Sequence, residues 1–322
     1  MKKWLPRAIG PVIFVIVLIH IDFGATIAAL RKASVVPLIL GYMMFIPSLC
    51  FRTARWRVLM APQQIYLGFW EAFNVYALSI FFGIATPGRL GELIKALYLR
   101  QKGNSLGASF FSVFMDRLYD IVFLLIFGCG ALLSLMASMS AALTTVAWIL
   151  LCAVAGVILL WFMTRGRGKE AVVWLLRAVL PAPLKGPIMS GYQAFSDGFR
   201  EMKYRTLGGA FFLTTLAWGA NYWAVYLFGC ALGFDITFLS MACIAAVCAL
   251  VTLVPISVMG VGTRDAALIL MLGKYGVLEA QAVAFSTLIL SMLLFNGLIC
   301  SFSLLTQAAK FNWHSAIDKP ND

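Results

Sequence analysis

Six apolar runs constrain this chain more than any other feature, because each is long enough to cross the roughly 30 Å hydrocarbon core of a bilayer. They lie near residues 8–30, 34–51, 107–136, 142–163, 207–232 and 281–308. Only 12% of the residues are charged, whereas soluble domains are about 25% charged. We therefore predict an all-α, polytopic membrane protein with about six transmembrane helices, in which residues 1–322 form a single integral membrane domain.

Two further apolar runs, near 66–86 and 236–258, are each followed by a helix breaker and a shorter apolar helix. The shorter helices, 88–100 and 260–272, cannot cross the bilayer, because a helix rises only about 1.5 Å per residue. We therefore predict two re-entrant helical hairpins that turn back at mid-membrane. A break at that depth is tolerated where it is buried in protein or lines a wet cavity.

Basic residues at the ends of the apolar runs predict the orientation of the chain. Lys2 and Lys3 place the N-terminus in the cytoplasm, and Lys319 does the same for the C-terminus. The segment 164–206 carries eight lysines and arginines and is predicted to be a cytoplasmic amphipathic linker. The first hairpin then enters from the cytoplasm and the second from the opposite face. The net charge of +12 is explained by topology and anionic headgroups, so no nucleic-acid partner is predicted.

The order span, hairpin, span occurs twice along the chain. The predicted halves are residues 34–136 and 207–308, and Glu92 and Asp265 mark an offset of 173 positions between them. Because the two halves have opposite predicted orientations, they form an inverted repeat, an architecture that many secondary transporters share. The alternative is accidental regularity within a helix bundle.

The first hairpin turn contains a helix breaker beside several polar residues. It reads Thr86-Pro87-Gly88-Arg89-Leu90-Gly91-Glu92-Leu93-Ile94-Lys95. Thr86 is predicted to be the N-cap of a helix with Pro87 at its first position, since both residues favour those places. Gly88 and Gly91 are predicted to allow a close approach of the backbone.

Arg89, Glu92 and Lys95 are the candidate binding residues of this turn. Arg89 in a first turn opposes the helix dipole, so helix stability does not explain it. Its planar guanidinium suits an anion such as phosphate, which it can hold through two hydrogen bonds. Glu92 and Lys95, three positions apart, are predicted to pair on one helix face. The alternative is a purely structural cluster of buried ion pairs.

The second hairpin turn has a similar composition and reads Gly260-Val261-Gly262-Thr263-Arg264-Asp265. Thr263 is predicted to cap the short helix that follows. Arg264 then occupies a first turn, as Arg89 does. Asp265 is predicted to neutralise Arg264 or Arg89 when no substrate is bound.

Asp116, Arg117 and Asp120 lie about three turns into the run 107–136. Asp116 and Asp120 share a helix face, and Arg117 can reach Asp120. We predict a supporting charge network that braces the first hairpin, and a coupling proton is the alternative role.

A second basic group surrounds Trp56 and contains Arg52, Arg55 and Arg57. Arginines beside tryptophan are typical of the membrane interface, where they also attract anionic headgroups. We therefore interpret this group as an interfacial anchor.

The sequence gives little support for catalysis. It has two histidines and seven cysteines, and the cysteines all lie in apolar segments. No Ser/His/Asp set or metal-binding spacing is present, so we predict neither an enzyme nor a cofactor or metal site. An intramembrane transferase that uses Arg89, Glu92 and Asp116 is the alternative.

At these motifs the chain resembles the transmembrane region of lysylphosphatidylglycerol synthases and their flippase-like relatives. The resemblance is carried by Ala54-Arg55-Trp56-Arg57, the Thr86–Glu92 motif, Asp116-Arg117 and Gly260–Asp265. In the two-domain synthases, this region is thought to move aminoacylated phosphatidylglycerol between leaflets, and a soluble C-terminal domain makes that lipid. Because the chain ends at Asp322, the resemblance implies a stand-alone member without synthase activity. Other relatives are associated with hopanoid lipids or polyprenyl-linked sugars.

Together these observations predict a flippase-like lipid transporter of the bacterial cytoplasmic (inner) membrane. Arg89 and Arg264 would bind a lipid phosphate in a cavity between the hairpins, and Glu92, Lys95 and Asp265 would balance charge or select the headgroup. The expected partners are a membrane lipid and either a lipid-synthesising enzyme or a second copy of the chain. The alternative is a membrane-embedded lipid or glycan transferase, or its non-catalytic partner subunit.

The predicted topology has a direct test. If the two hairpins are inverted, a cysteine introduced at Gly103 reacts with a membrane-impermeant thiol reagent from the cytoplasm. A cysteine at Gly276 reacts from the opposite side. Labelling of both positions from the same side removes the inverted repeat.

Overall fold

The fold is described from a computed structural model, which describes residues 27–28, 30–86, 91–135, 170, 174, 182–253 and 262–307. Within these ranges every regular element is helical. The elements are α1 (Val35–Met43), α2 (Phe45–Met60), a 3-10 turn (Ala61–Gln63), α3 (Phe69–Ala85), α4 (Ile94–Gln101), α5 (Leu106–Leu135), α6 (Ala182–Glu201), α7 (Tyr204–Ala231), α8 (Phe238–Leu253), α9 (Thr263–Gly273) and α10 (Glu279–Gln307). The predicted span 142–163, most of the span 8–30 and the hairpin tips 87–90 and 254–261 lie outside the described residues.

The long helices have the length and surface of membrane helices. By length and composition, two stretches qualify as candidate spans, Val35–Gln63 and Glu279–Leu304. Leu294, Leu298 and Phe302 follow one another at four-residue steps on α10, and all three side chains are exposed. Such an apolar face suits a hydrocarbon environment, where the helix satisfies its own backbone. The protein is thus an all-α, polytopic membrane protein.

Each predicted hairpin contains one long and one short helix in contact, α3 with α4 and α8 with α9. The helix α4 has 8 residues and α9 has 11, so they are about 12 and 16 Å long and too short to cross a bilayer. Both begin later than predicted, α4 at Ile94 after a 3-10 turn over residues 91–93 and α9 at Thr263. The location of the tips at mid-membrane stays a prediction.

The turns that end the two short helices have the same structure. Gly103 and Gly276 both adopt positive φ angles, of 93° and 74°. In both turns the next residue donates its backbone N–H to the carbonyl five positions back, at 3.2 Å and 3.3 Å. This pattern is the Schellman motif, in which glycine accepts the left-handed conformation without steric cost. Gly103 and Gly276 are 173 positions apart.

The helices that follow these turns have the same offset. Leu106 begins α5 and Glu279 begins α10, again 173 positions apart. The two segments therefore share helix order and local turn structure at this offset. Their inverted orientation stays a prediction.

The chain divides into two compact units that interleave along the sequence. Unit 1 contains Met1–Ser48, Phe123–Ala147 and Leu216–Leu298, and unit 2 contains Leu49–Val122, Trp148–Thr215 and Ile299–Asp322. In unit 1, Phe228 of α7, Leu268 of α9 and Phe285 of α10 belong to one buried apolar cluster. In unit 2, Leu59 of α2 and Phe111 of α5 are fully buried in a second cluster. The single-domain organisation stays a prediction.

The predicted linker 164–206 contains a packed helix, α6. Its Phe195 and Phe199 meet Phe111 of α5 edge-on, with ring centroids 5.5 and 5.3 Å apart. Edge-to-face aromatic pairs of this kind are stabilising beyond the area that they bury. The C-terminal part of the linker therefore belongs to the packed core of unit 2.

Thr86 follows the last residue of α3 in an extended conformation, in which an N-cap residue also lies. Its hydroxyl donates to Phe82 O at 2.8 Å and accepts the N–H of Gly91 at 2.7 Å. Its role as an N-cap stays a prediction, because residues 87–90, which would form the first turn of the capped helix, lie outside the described residues.

The close approach predicted for Gly91 is present, because a Cβ atom built there overlaps the carbonyl group of Phe82. Gly91→Ala is therefore expected to destabilise the protein by about 1–3 kcal/mol, the usual cost of overpacking. Gly130 of α5 has no atom within 4 Å of a built Cβ. Gly130→Ala is the matched control and is expected to raise stability slightly, because alanine favours helix more than glycine. Thermal unfolding in detergent measures both, and equal midpoints for the two variants would contradict the close contact.

Candidate functional site

Seven charged side chains of unit 2 form a continuous series in which positive and negative residues alternate. In order of contact they are Arg52, Asp120, Arg55, Asp116, Lys95, Glu92 and Arg117. We call this series the charge chain. With four cations and three carboxylates, it has a net charge of +1. A charged group away from water is costly unless it is paired, and here each charge lies beside a group of opposite sign.

Asp116 is the centre of the charge chain. Its Oδ1 accepts a hydrogen bond from Arg55 Nε at 2.9 Å, and its Oδ2 accepts from Lys95 Nζ at 2.7 Å and from Tyr76 OH at 2.8 Å. The three donors come from α2, α4 and α3, so one carboxylate on α5 joins four helices. The side chains of Arg55 and Lys95 are 0% exposed and that of Asp116 is 1% exposed.

Two aromatic rings complete the surroundings of Lys95. Its Nζ lies 4.1 Å from the ring centroid of Tyr76 and 5.6 Å from that of Trp56. Both distances are within the range of cation–π attraction, which strengthens when the cation is removed from water. Trp56 is held in turn by a hydrogen bond from its Nε1 to Ser112 Oγ at 3.3 Å.

One end of the charge chain joins α2 to α5. Asp120 accepts from Arg55 Nη1 at 2.7 Å and from Arg52 Nη1 at 3.0 Å, and Arg55 Nη1 also donates to Thr214 Oγ1 at 3.2 Å. The arginines are one helical turn apart on α2, and the aspartates are one turn apart on α5. Side chains three or four positions apart share a helix face, so two pairs meet at once.

The other end of the charge chain lies next to the first hairpin turn. Glu92 pairs with Arg117 through Oε1, and its Oε2 lies 3.9 Å from Lys95 Nζ. This Oε2 atom is buried and accepts no hydrogen bond from the residues that the structure describes. The side chain of Arg117 is 29% exposed, against 16% for Arg52 at the opposite end. The charge chain therefore has a buried centre and two partly exposed cationic ends.

The second hairpin residues form a separate group in unit 1. Arg264 Nη2 donates to Asp265 Oδ1 at 3.1 Å and to Ser286 Oγ at 3.2 Å, and Ser286 also donates to Asp265. Arg264 and Asp265 are both buried. The Nε atom of Arg264 is buried and has no hydrogen-bond partner among the described residues. The charges of Arg264 and Asp265 balance, and this N–H remains available as a donor.

The predicted cap of the second short helix was wrong. Gly262, with a φ angle of 85°, is the N-cap, and Thr263 is the first residue of α9. The N–H of Gly262 donates to Asp265 Oδ2 at 2.9 Å. The positive φ angle turns the chain sharply into the helix, and the carboxylate at the third helical position accepts the N–H of the N-cap residue, as the third residue of a capping box does.

Sequence reasoning misplaced the arginines around Trp56. Arg55 and Trp56 are fully buried, so an interfacial anchor was the wrong interpretation for them, and only Arg57 is exposed. The spacing of Arg52 and Arg55 matches the one-turn spacing of the aspartates on α5, which was the available signal. No sequence signal identified Tyr76, because a tyrosine in an apolar run usually serves only to pack against its neighbours. Gly88 and Arg89 lie outside the described residues.

In the second half of the chain, apolar residues of one cluster occupy four of the seven positions of the charge chain, whereas Glu92 corresponds to the buried Asp265. At the offset of 173, Arg52, Arg55, Lys95 and Asp116 correspond to Val225, Phe228, Leu268 and Ile289. All four of these apolar residues belong to one cluster of unit 1. Buried ion pairs are often no more stabilising than well-packed apolar side chains. The same order of helices therefore packs without these charges, which favours a functional role for the charge chain.

Comparison with known proteins gives two findings. A family model described as the lysylphosphatidylglycerol synthase TM region matches residues 7–299. A protein described as a UPF0104 membrane protein in Pyrococcus horikoshii is 24% identical over 314 residues, which cover 89% of this chain and 92% of that protein. Both matches include the charge chain and the second hairpin. Among the described residues, no group of three His, Cys, Asp or Glu side chains could hold a metal ion.

The central position of Asp116 leads to a stability prediction. Asp116→Asn removes the carboxylate that Arg55 and Lys95 share and leaves Lys95 with only the 3.9 Å contact to Glu92, which is expected to cost about 3–5 kcal/mol. The triple variant Arg55→Phe/Lys95→Leu/Asp116→Ile copies the second half and leaves two balanced pairs, Arg52 with Asp120 and Arg117 with Glu92. We expect it to be more stable than Asp116→Asn, although three groups are lost instead of one. Thermal unfolding of both in detergent is the measurement, and a lower midpoint for the triple variant would show that the charges are required for packing.

Proposed function

Because this chain belongs to the family of the lysylphosphatidylglycerol synthase transmembrane region, we propose that it is a flippase-like transporter. Its substrate is an amphipathic lipid with an anionic group, which it moves between the leaflets of the membrane. Aminoacylated or other anionic phospholipids, polyprenyl-phosphate-linked lipids and hopanoid-type lipids are the substrate classes that this proposal includes.

The observation that carries the proposal is the net charge of the charge chain. Among the described residues this series has one more cation than it has carboxylates, and a charged group deep in a membrane costs roughly 2.5–3.5 kcal/mol on insertion scales. An anionic headgroup lowers this cost when it binds. Since apolar side chains fill the corresponding positions in the second half, packing alone does not account for the excess cation.

The roles of individual residues follow from their surroundings. Arg89 and Arg264 bind the lipid phosphate, because a guanidinium matches phosphate with two parallel hydrogen bonds. The buried Nε of Arg264 is a donor that such a ligand satisfies. Glu92, Lys95 and Asp265 balance the charge, and Thr86, Gly88 and Thr263 shape the turns.

Asp116, Arg117 and Asp120 support the first hairpin from α5. The buried centre of the charge chain joins α2, α3, α4 and α5, which keeps the hairpin turn in a fixed position. A preorganised site of this kind binds its ligand with less loss of conformational entropy.

The acyl or prenyl chains of the substrate stay in the bilayer, so the protein handles the headgroup alone. Movement of the headgroup in this way requires no covalent chemistry and no cofactor. We place the protein in the bacterial cytoplasmic membrane, with both termini in the cytoplasm. A lipid-synthesising enzyme or a second copy of the chain is the proposed protein partner.

The proposal is tested with purified protein in liposomes that contain fluorescent phosphatidylglycerol. Arg89→Gln is expected to insert and fold normally and to slow headgroup movement by tenfold or more. Arg264→Gln is expected to slow it as much and also to lower thermal stability, because it leaves the buried Asp265 without its arginine. Its rate is therefore measured at a temperature at which the variant is folded. Arg89→Lys recovers part of the rate, since a point charge does not reproduce the bidentate contact. Arg57→Gln is the matched control, because Arg57 is exposed and lies outside the charge chain.

Mass spectrometry of the same liposomes separates transport from catalysis. Movement without a new lipid species supports the transporter. Wild-type rates in both glutamine variants, or formation of a new lipid, would overturn the proposal.

A further inference from the structure

We propose that Glu92 is an exchangeable counter-ion for an anionic headgroup. In the empty site it pairs with Arg117, and when a phosphodiester binds to Arg117, Glu92 transfers to Lys95. This inference rests on the proposed function and adds a binding residue, Arg117, and a sequence of contacts to it.

The position of Glu92 between two cations is the first argument. One carboxylate oxygen already contacts Arg117, whereas the other lies 3.9 Å from Lys95 Nζ and accepts no hydrogen bond from the described residues. A shift of about 1 Å brings this second oxygen within hydrogen-bond distance of Lys95. An ammonium group has three donors, so Lys95 can bind Glu92 and keep its contact with Asp116.

The room for this shift comes from α3. The side chain of Glu92 lies against Gly83, where a built Cβ atom would be 3.0 Å from Glu92 Cγ and 3.3 Å from its Oε1. Any larger residue at position 83 would restrict the carboxylate. The glycine therefore leaves Glu92 space to change partners.

Exposure determines which cation receives the ligand. The side chain of Arg117 is 29% exposed, and that of Lys95 is 0% exposed. Lys95 is also enclosed by Asp116 and by the rings of Tyr76 and Trp56. An external anion therefore reaches Arg117, and Lys95 serves only as the internal partner that Glu92 takes up.

Charge determines the class of ligand. The charge chain has a net charge of +1, and a phosphodiester carries one negative charge. Binding of one phosphodiester therefore brings the net charge of these seven residues to zero, with every carboxylate still paired. Since Glu92 and the ligand compete for Arg117, removal of the carboxylate is expected to strengthen binding. A purely structural Glu92 predicts the opposite.

The test is a double-mutant cycle on the binding of phosphatidylglycerol to the purified full chain in detergent, followed by native mass spectrometry. Glu92→Gln is expected to bind about tenfold more tightly than the wild type, and Arg117→Gln about tenfold more weakly. The double variant is expected to bind no more tightly than Arg117→Gln. Glu71→Gln is the matched control, because Glu71 lies in the same hairpin and pairs with the half-exposed Lys102 at 2.8 Å.

Two results would overturn the inference. One is unchanged or weaker binding by Glu92→Gln, and the other is tighter binding that persists in the double variant. If Glu92→Gln cannot be isolated, Arg117→Gln alone tests the inference. Because Arg117 is partly exposed, this variant is expected to fold, so that weaker binding reports the lost contact with the ligand. Wild-type affinity in this variant contradicts a ligand contact.

Competition experiments identify the source of the anion. Inorganic phosphate that displaces phosphatidylglycerol only when Arg117 is intact supports the exchange with a soluble anion as ligand. No displacement by phosphate, and weak binding of zwitterionic phosphatidylcholine, supports an anionic lipid headgroup. The two proposals can fail separately. If the effects of Glu92→Gln and Arg117→Gln on binding are additive, the exchange of Glu92 is contradicted. If Arg264→Gln still loses transport as expected, the proposed function is retained.

Discussion

The hydrogen bonds of the Asp116 carboxylate are the interaction on which the first half of this protein depends. Three donors from three helices meet on its two oxygen atoms, and none of the charged partners has water as an alternative. In a membrane, the loss of such a contact cannot be compensated by solvent, so the four helices are tied to one another by a single group. The position of the first hairpin turn follows from this junction, because Lys95 lies on the short helix that the turn begins.

Comparison of the two halves of the chain shows that this order of helices can pack without the Asp116 junction. Helix starts and the glycine turns recur at one offset, yet Phe228, Leu268 and Ile289 occupy the positions of Arg55, Lys95 and Asp116. Apolar packing and ion pairing thus give comparable local structures with different chemistry. The second half keeps a buried Arg264–Asp265 pair at its hairpin, so both halves retain charge there, and the longer series of charges lies in the first half.

Much of this structure could be predicted from residue patterns. The apolar runs gave the helix order over the described residues, and Asp116 was predicted to brace the hairpin that carries Glu92 and Lys95, but its direct contact with Lys95 was not predicted. The burial of Arg55 and Trp56 inside the protein could not be predicted, since the same residue types are common at the membrane interface. The aspartates that pair with Arg55 are more than 60 positions away in the sequence. The helix starts at Ile94 and Thr263 were also missed. The first follows a 3-10 turn over residues 91–93 and the second depends on the positive φ angle of Gly262, and neither is encoded by local preference alone.

The alternation of charge has an evolutionary consequence. A globular protein is stable by only about 5–15 kcal/mol, and removal of one partner of a buried pair costs about 3–5. A single substitution at Arg55, Lys95 or Asp116 therefore removes a large part of that stability, whereas Val225, Phe228, Leu268 and Ile289 can each change by one methyl group at a smaller cost. Single substitutions in the charge chain are disfavoured, because each one leaves a buried charge without its partner. In related proteins we expect its residues to change as a group, and its apolar counterpart to vary freely.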